Sequence, residues 1–357
     1  MTPNDPYLAR RERVREKMAG LGLDALLVAH AANRYYLSGF ELHDPQCNES
    51  AGMLLVRSDG RDVLLTDSRY RDAALRLWPE EYLHIYQAPK LKDIGSFLAS
   101  QNLGTLGFES EALSHATATA LEEHLPMKGV AGIVEELRQI KDETEIEALR
   151  ASARLNHDLM NDLPKLLKPG MTEADAAWEI EKYFRERGAT GMAFEAIVGV
   201  GPNAALPHAI PGAEKLPEEG LVLVDTGARY QGYNSDQTRT LWLGDTPSER
   251  FRHVRDLVRR AQRAAMEAVK PGVEVRELYL AARKVFEEAG EAEHFTHALG
   301  HGIGLETHEP PSLGPTSQAI LKPGMVFTIE PGLYYGDWGG VRWEHMILVT
   351  EDGFEVL

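Results

Sequence analysis

The chain has 357 residues, 55 acidic and 38 basic, with a net charge of −17. Its length exceeds the size at which one hydrophobic core usually keeps growing, which predicts two domains. Nucleic acids and anionic membranes both require a basic surface, so the acidity excludes them as partners and is read as solubility.

Cys47 is the single cysteine, so no intrachain disulfide can form and a reducing, cytoplasmic setting is expected. Its surroundings, Asp44 to Glu49, read as a polar loop rather than the setting of a nucleophile. Met1 to Lys17 has no apolar run of signal-peptide type, and no apolar stretch approaches the ~20 residues that span a bilayer.

In chain order, Val14, Met18 and Leu21 at helical spacing predict a helix over 11–21, ended by Gly20 and Gly22. Ala25 to Ala29 reads as a buried strand. Met53 to Val56 and Val63 to Thr66 read as a hairpin turning at Ser58-Asp59-Gly60. A helix over 68–77, a strand over 105–108 and a helix over 116–125 complete an α/β domain over residues 1–130. Gly20-Leu21-Gly22 is no dinucleotide fingerprint, because these glycines follow a helix and precede a strand.

Residues 131–357 form the second predicted domain. It opens on a long helical region over 135–167 and then repeats itself weakly. Lys168-Pro169-Gly170 with the amphipathic stretch 173–187 resembles Lys270-Pro271-Gly272 with 274–288. The run 220–227, carrying Asp225, resembles 324–332, carrying Glu330. A period near one hundred residues is too long for a solenoid and predicts two related α+β halves about a pseudo-two-fold axis. Asp225 and Glu330 then occupy equivalent strand ends, and a site between the halves draws residues from both.

Four carboxylates and a histidine in this domain sit in apolar or glycine-rich segments, where charge is costly. The segment from Asp225 to Asp236 reads as strand, turn, strand, which brings the two aspartates together at its open end. Facing aspartates are destabilising without a cation between them. The structural alternative pairs Asp236 with Arg239. Around His301, the glycines Gly300, Gly302 and Gly304 predict extended backbone approached closely by other chain. His294, His297, His301 and His308 crowd the segment 294–308, and Pro310-Pro311 after His308-Glu309 forbids a zincin helix. The segment 340–349 reads as one strand with Arg342 and Glu344 on one face, forming a cross-strand salt bridge or a metal ligand with a bracing arginine.

These motifs resemble the pita-bread family of dinuclear metallopeptidases, in its Xaa-Pro aminopeptidase and prolidase branch. The segments 22–28, 33–40 and 67–70 are similar to that branch's creatinase-type N-terminal domain. The resemblance implies a creatinase-like α/β domain followed by a pita-bread domain. It implies that Asp225 and Asp236 hold one metal, that His301 and Glu330 belong to a second, and that Asp236 and Glu344 are shared. His208 matches the histidine that contacts the scissile region, His308 the one near the tetrahedral intermediate, His297 one lining a proline pocket, and Arg342 a bracing arginine. Trp343 and His345 depart from the branch pattern beside Glu344.

The implied activity is hydrolysis of the bond between a first residue and a following proline, by a hydroxide bridging two divalent metals, with Glu330 shuttling the proton. Oxygen-rich ligation favours Mn²⁺, with Co²⁺, Zn²⁺ or Fe²⁺ as alternatives. The implied partners are short proline-containing peptides and a second copy of the chain. Competing readings are a metal-free pseudoenzyme or binding module on the same fold, and a methionine aminopeptidase. The complete ligand set argues against the first; the N-terminal domain and Arg342 argue against the second.

Overall fold

The computed structural model describes residues 6–44, 46 and 49–357, so Cys47 lies outside the described residues. The chain divides into two units, Met1–Arg138 and Gln139–Leu357. Among the described residues no helix is long and apolar enough to cross a membrane.

The first unit is a six-stranded mixed sheet flanked by helices. Its strands are β1 (Ala25–Val28), β2 (Gly52–Arg57), β3 (Val63–Thr66), β4 (Leu83–Ile85), β5 (Leu106–Glu109) and β6 (Met127–Val130). Their order is β4-β3-β2-β1-β5-β6. The β2–β3 hairpin forms as the alternation predicts, with Gly60 at φ 80° in its turn. The helices are α1 (Pro6–Leu21), α2 (Ala31–Ser38), α3 (Arg71–Leu75), α4 (Lys90–Ser100), α5 (His115–Glu122) and α6 (Ile133–Arg138). Gly22, at φ 68°, ends α1 and leads into β1, so these glycines terminate a helix and cradle no phosphate.

The predicted helical region over 135–167 is two helices. The first, α6, belongs to the N-terminal unit: Asn33 donates to Glu135 at 2.6 Å, and Arg138 donates to Asn33 at 2.7 Å. These contacts set the division at Arg138 rather than at residue 130. The second, α7 (Glu143–Leu166), starts afresh at Asp142, whose carboxylate accepts from the Glu145 N–H while Glu145 reaches back to the Asp142 N–H.

The second unit continues with α8 (Glu173–Glu186) and the short strand β7 (Gly191–Met192). Strand β8 (Ile197–Val200) then pairs with β9 (Gly220–Thr226). Strands β10 (Ala228–Tyr230) and β11 (Tyr233–Asn234) form a side hairpin beside β7, and β12 (Gln237–Leu243) returns antiparallel to β9. After α9 (Glu249–Glu267) and α10 (Val275–Ala289) come β13 (His301–Gly302), β14 (Glu309–Ser312), β15 (Val326–Ile329), β16 (Gly332–Tyr335), β17 (Gly339–Arg342), β18 (His345–Val349) and β19 (Phe354–Val356). Strands β14-β13-β15-β18-β19 form one sheet, and β16 and β17 form a hairpin.

Two cores result. Alternate residues of β9 point opposite ways. Val222 and Val224 pack with Leu159 and Leu163 of α7 and Ile180 and Phe184 of α8. Leu221 and Leu223 join Phe251 and Leu257 of α9, Phe286 of α10 and Phe327 of β15.

The internal repeat is visible in the backbone. Gly170 and Gly272 both stand at φ 86°. The Gly170 N–H donates to the Leu216 carbonyl, and the Gly272 N–H to that of Leu321, each at 2.9 Å. Thr172 bridges Lys215 where Glu274 bridges Ile320. Each half thus closes a turn and a helix onto the segment leading into its carboxylate-bearing strand, β9 with Asp225 or β15 with Glu330 after it.

Glu173, fully buried in the first turn of α8, gathers the loop that carries His208. Its carboxylate accepts from the N–H groups of Val200 and Gly212, each at 2.9 Å, and from Asn203 Nδ2 at 2.7 Å. Glu173→Ala leaves these donors without acceptors and is expected to destabilise the protein by about 3 kcal/mol. The measurement is the urea midpoint at unchanged slope; a loss below about 0.5 kcal/mol would mean that water replaces the carboxylate.

Candidate metal centre

The five residues converge, and the strand breaks explain how. The segment from Asp225 to Asp236 is not one continuous hairpin. Strand β9 pairs with β12 so that Asp225 lies opposite Thr238, while Asp236 falls in the gap between β11 and β12. Gly227 makes the bend possible, since a Cβ there would collide with the Ser235 carbonyl oxygen. The segment 340–349 also breaks: β17 ends at Arg342, β18 begins at His345, and Glu344 lies between, its N–H donating to the Thr238 carbonyl at 3.2 Å. Glu330 directly follows β15. Residues in such gaps escape the strict alternation of a flat sheet and can turn toward a common point.

The glycines beside His301 admit other backbone, as predicted. A Cβ at Gly300 would strike the Thr328 carbonyl, and one at Gly302 the Pro310 carbonyl. The imidazole is oriented by its own chain: Nδ1 donates to the Gly302 carbonyl at 3.1 Å. That bond fixes the proton on Nδ1 and leaves the Nε2 lone pair aimed at two carboxylates, 3.4 Å from Glu330 Oε1 and 3.6 Å from Asp236 Oδ2. A lone pair facing two ionised carboxylates is repulsive unless a proton or a cation lies between them. Donor atoms of Asp236, His301 and Glu344 all lie within 4.8 Å of one another.

The remaining oxygens are sorted in the same way. Asp225 Oδ2 accepts from Arg342 Nη2 at 2.6 Å, and Glu344 Oε2 accepts from the Thr238 hydroxyl at 2.7 Å. Asp225 Oδ1 and Glu344 Oε1 are buried and meet no hydrogen-bond donor of the protein. Each of these carboxylates has one oxygen secured and one held ready, the pattern of metal ligands with a bracing outer layer. Arg342 is buried and also donates to the Thr238 hydroxyl at 3.0 Å and the Tyr334 hydroxyl at 2.9 Å. Its charge compensates one carboxylate of four; divalent cations would offset the remaining three, and the oxygen-rich donor set suits them. Of the predicted alternatives, the Asp236–Arg239 pair does not form, since Arg239 bonds the carbonyls of Thr238 and Glu344; a salt bridge across strands does, from Arg342 to Asp225.

Titration follows from this crowding. Burial, then repulsion from Glu344, Asp225 and Glu330, raises the Asp236 carboxyl well above its usual range. Burial with Glu330 and Asp225 does the same to Glu344. Burial pushes Glu330 up to about 8 against the pull of Arg342. Burial, with His308 beside it, brings His301 down to about 4, so it is neutral near pH 7.

A cavity of 440 Å³ opens onto the carboxylates and is lined by Asp225, Asp236, His301 and Glu330 together with His208, His297, His308 and Arg342. The rings of His308 and His301 lie 4.0 Å apart. His297 Nδ1 donates to the Ala298 carbonyl at 2.6 Å, and its Nε2 accepts from the Tyr334 hydroxyl at 2.9 Å. Burial brings it down to about 4. With both nitrogens engaged, His297 lines the cavity without a nitrogen free to move a proton. His294 turns away, Nδ1 to the Tyr334 carbonyl and ring 4.2 Å from Tyr335.

Trp343 and His345 sit behind Glu344. Arg239 and Arg259 stack over Trp343, 4.5 and 5.0 Å from its centroid. Burial and Arg239 push His345 down to about 3.

Three residues of the centre escape sequence reasoning. Thr238 holds both Glu344 and Arg342. Thr328 accepts from the His301 N–H at 3.1 Å and donates to Glu330 at 3.2 Å. Tyr334 joins Arg342 to His297. Thr238 was within reach, because strand pairing places it opposite Asp225; Thr328 and Tyr334 read as ordinary strand residues.

The model of metallopeptidase family M24 matches residues 147–351, and that of the creatinase/prolidase N-terminal domain matches residues 10–140. The chain belongs to metallopeptidase family M24, with a creatinase-type α/β domain ahead of an α+β pita-bread domain. It is 33% identical over 347 residues to the Xaa-Pro dipeptidase of Pyrococcus furiosus, covering 96% of each chain. Among solved structures it resembles the Xaa-Pro dipeptidase from Bacillus anthracis (TM-score 0.90, 32% identity, 98% and 97% covered). It also resembles the X-Pro aminopeptidase from Thermotoga maritima (TM-score 0.87, 29% identity, 97% and 96% covered).

The raised carboxylates give a pH signature. Glu330, at 4.5 when unperturbed and about 8 in the folded protein, binds more protons folded than unfolded across that window. Stability therefore falls as pH rises through it. The metal-free protein is expected to lose thermal stability from about pH 5 to pH 8, and saturating metal to flatten that slope, since cations replace the protons. Melting curves with and without EDTA at each pH check this; parallel profiles would rule out a carboxylate site filled by cations.

Proposed function

We propose that this chain is a metal-dependent Xaa-Pro peptidase, cleaving the bond between an amino-terminal residue and a following proline. The observation that carries the reading is the His301 lone pair set between Glu330 and Asp236, beside a cavity whose far wall is histidine and apolar side chains. Asp225, Asp236, His301, Glu330 and Glu344 would hold two divalent cations, Mn²⁺ first among them given the oxygen-rich set. When bound, the cations supply Lewis acidity and bring the pKa of coordinated water toward neutrality.

The chain's own groups supply the rest. Arg342 fixes Asp225 and, through Tyr334, the ring of His297. Glu330 lines the cavity and can take a proton there and return it to the departing proline nitrogen. His308 and His208 stand on the same cavity as donors for the oxyanion of an attacked carbonyl. The His297 face offers a flat surface to a ring that carries no N–H. Phe194, Ile197 and Ile210 give the first residue an apolar wall. At 440 Å³ the cavity falls within the about 300–1,000 Å³ of small-ligand sites, which suits a short peptide.

The reading also includes a cytoplasmic location, supported by the single cysteine, and a homodimer, as the family resemblance implies.

The Mn²⁺-loaded protein is expected to cleave Ala-Pro or Ala-Pro-Xaa peptides and to spare Met-Ala; a preference for Met-Ala would favour a methionine aminopeptidase, and no cleavage with Mn²⁺ or Co²⁺ a binding module. Glu330→Gln is expected to lower kcat by about 10²- to 10⁴-fold through loss of proton transfer. His308→Ala is expected to lower it by about 10²-fold at nearly constant KM. A dipeptide-only profile assigns a dipeptidase; a profile extending to tripeptides assigns an aminopeptidase.

A further inference from the structure

We propose that Lys141 is a positioning residue for His308, acting through a buried ion pair with Glu309. The inference rests on the reading of His308 as a group that faces the substrate. Neither Lys141 nor Glu309 lines the cavity.

Lys141 is the one buried lysine among the described residues. Its side chain is 1% exposed, and its Nζ lies 3.3 Å from Glu309 Oε2, itself on a side chain 3% exposed. The lysine backbone is fastened as well: its N–H donates to the Gly324 carbonyl at 2.9 Å, and Ile140 bridges Met325. Lys141 therefore ties the segment that enters β15, the strand before Glu330, to the residue that follows His308.

The turn 304–309 is wrapped around the Glu309 carboxylate. Oε1 accepts from the Glu306 N–H at 3.0 Å. A Cβ on Gly304 would lie 2.8 Å from both carboxylate oxygens, so the carboxylate rests directly on backbone. Asn234, two residues before Asp236, anchors the same turn: its N–H donates to the Gly304 carbonyl at 2.9 Å and its Nδ2 to the Leu305 carbonyl at 3.1 Å. His308 is the last residue of that turn and is bonded directly to Glu309, the first residue of β14. With Glu309 held inward on Lys141, His308 lines the cavity with its ring against that of His301.

Stability alone gives no reason for this pair. Two buried charges cost desolvation, and an apolar pair of the same volume is often as stable. What the ion pair adds is a defined direction for Glu309, and hence for the residue bonded to it.

Lys141→Met is expected to lower kcat by about 30- to 100-fold on a peptide substrate, with KM within about two-fold, because a displacement near 1 Å suffices for such losses. Metal content should remain that of the wild type. If Lys141 acts through His308, adding His308→Ala to Lys141→Met lowers kcat by less than about three-fold more; losses that multiply would overturn the proposal. A second readout needs no substrate. In histidine-¹⁵N-labelled, Zn²⁺-loaded protein the His308 ring signals shift in Lys141→Met while those of His297 stay, and unmoved His308 signals would overturn the proposal even if the peptide assignment failed. Should Lys141→Met not fold, Glu309→Gln, which keeps the shape and the Glu306 hydrogen bond, carries both measurements with the same expected pattern.

Discussion

Four carboxylates directed at one small volume, with a single buried guanidinium to oppose them, set the terms for the rest of this structure. Burying an ionised carboxylate is costly, and burying several together compounds desolvation with mutual repulsion. The protein has two ways out: protons, as the upward shifts of Asp236, Glu344 and Glu330 show, or cations. Protons satisfy charge without geometry. Cations satisfy both, because the oxygens left without donors on Asp225 and Glu344 and the imidazole nitrogen of His301 already point where ligands are needed.

The internal repeat is what brings these groups together. Each half closes a turn and a helix onto the segment before a buried strand, and each strand delivers a carboxylate, Asp225 within β9 and Glu330 just beyond β15. Breaks in regular pairing do the rest. Asp236 and Glu344 occupy gaps between strands, where the backbone no longer dictates an alternate face. The threonines repair those breaks: Thr238 bonds Glu344 and Arg342, and Thr328 bonds the backbone and carboxylate that flank the second half of the centre.

That these five residues belong together was legible from residue chemistry, because a charge at the end of an apolar run is conspicuous wherever the chain goes. The repeat was legible because turn signals and strand ends recur together. The misreadings share one cause. Alternation predicts a strand but does not register where pairing stops. The segments 225–236 and 340–349 therefore read as unbroken, and 135–167 read as one long helical region although the capping pair Asp142 and Glu145 marks a new start. Thr328 and Tyr334 escaped notice because their importance lies in what crosses to them from distant strands, which one residue's neighbours in sequence do not reveal.

The division of labour between charges and hydrogen bonds runs outward from the centre. Arg342 touches Asp225, Thr238 and Tyr334, and through Tyr334 it fixes the His297 ring, so one cation orders both the carboxylate cluster and the histidine that lines the cavity beside it. Lys141 has the corresponding role a layer further out. It opposes a carboxylate outside the cluster of five, and neither partner lines the cavity. A chain that needed only stability at Glu309 could have placed an apolar residue there. Keeping a buried lysine and a buried glutamate instead exchanges some stability for direction, and direction is what the residue next to Glu309 requires.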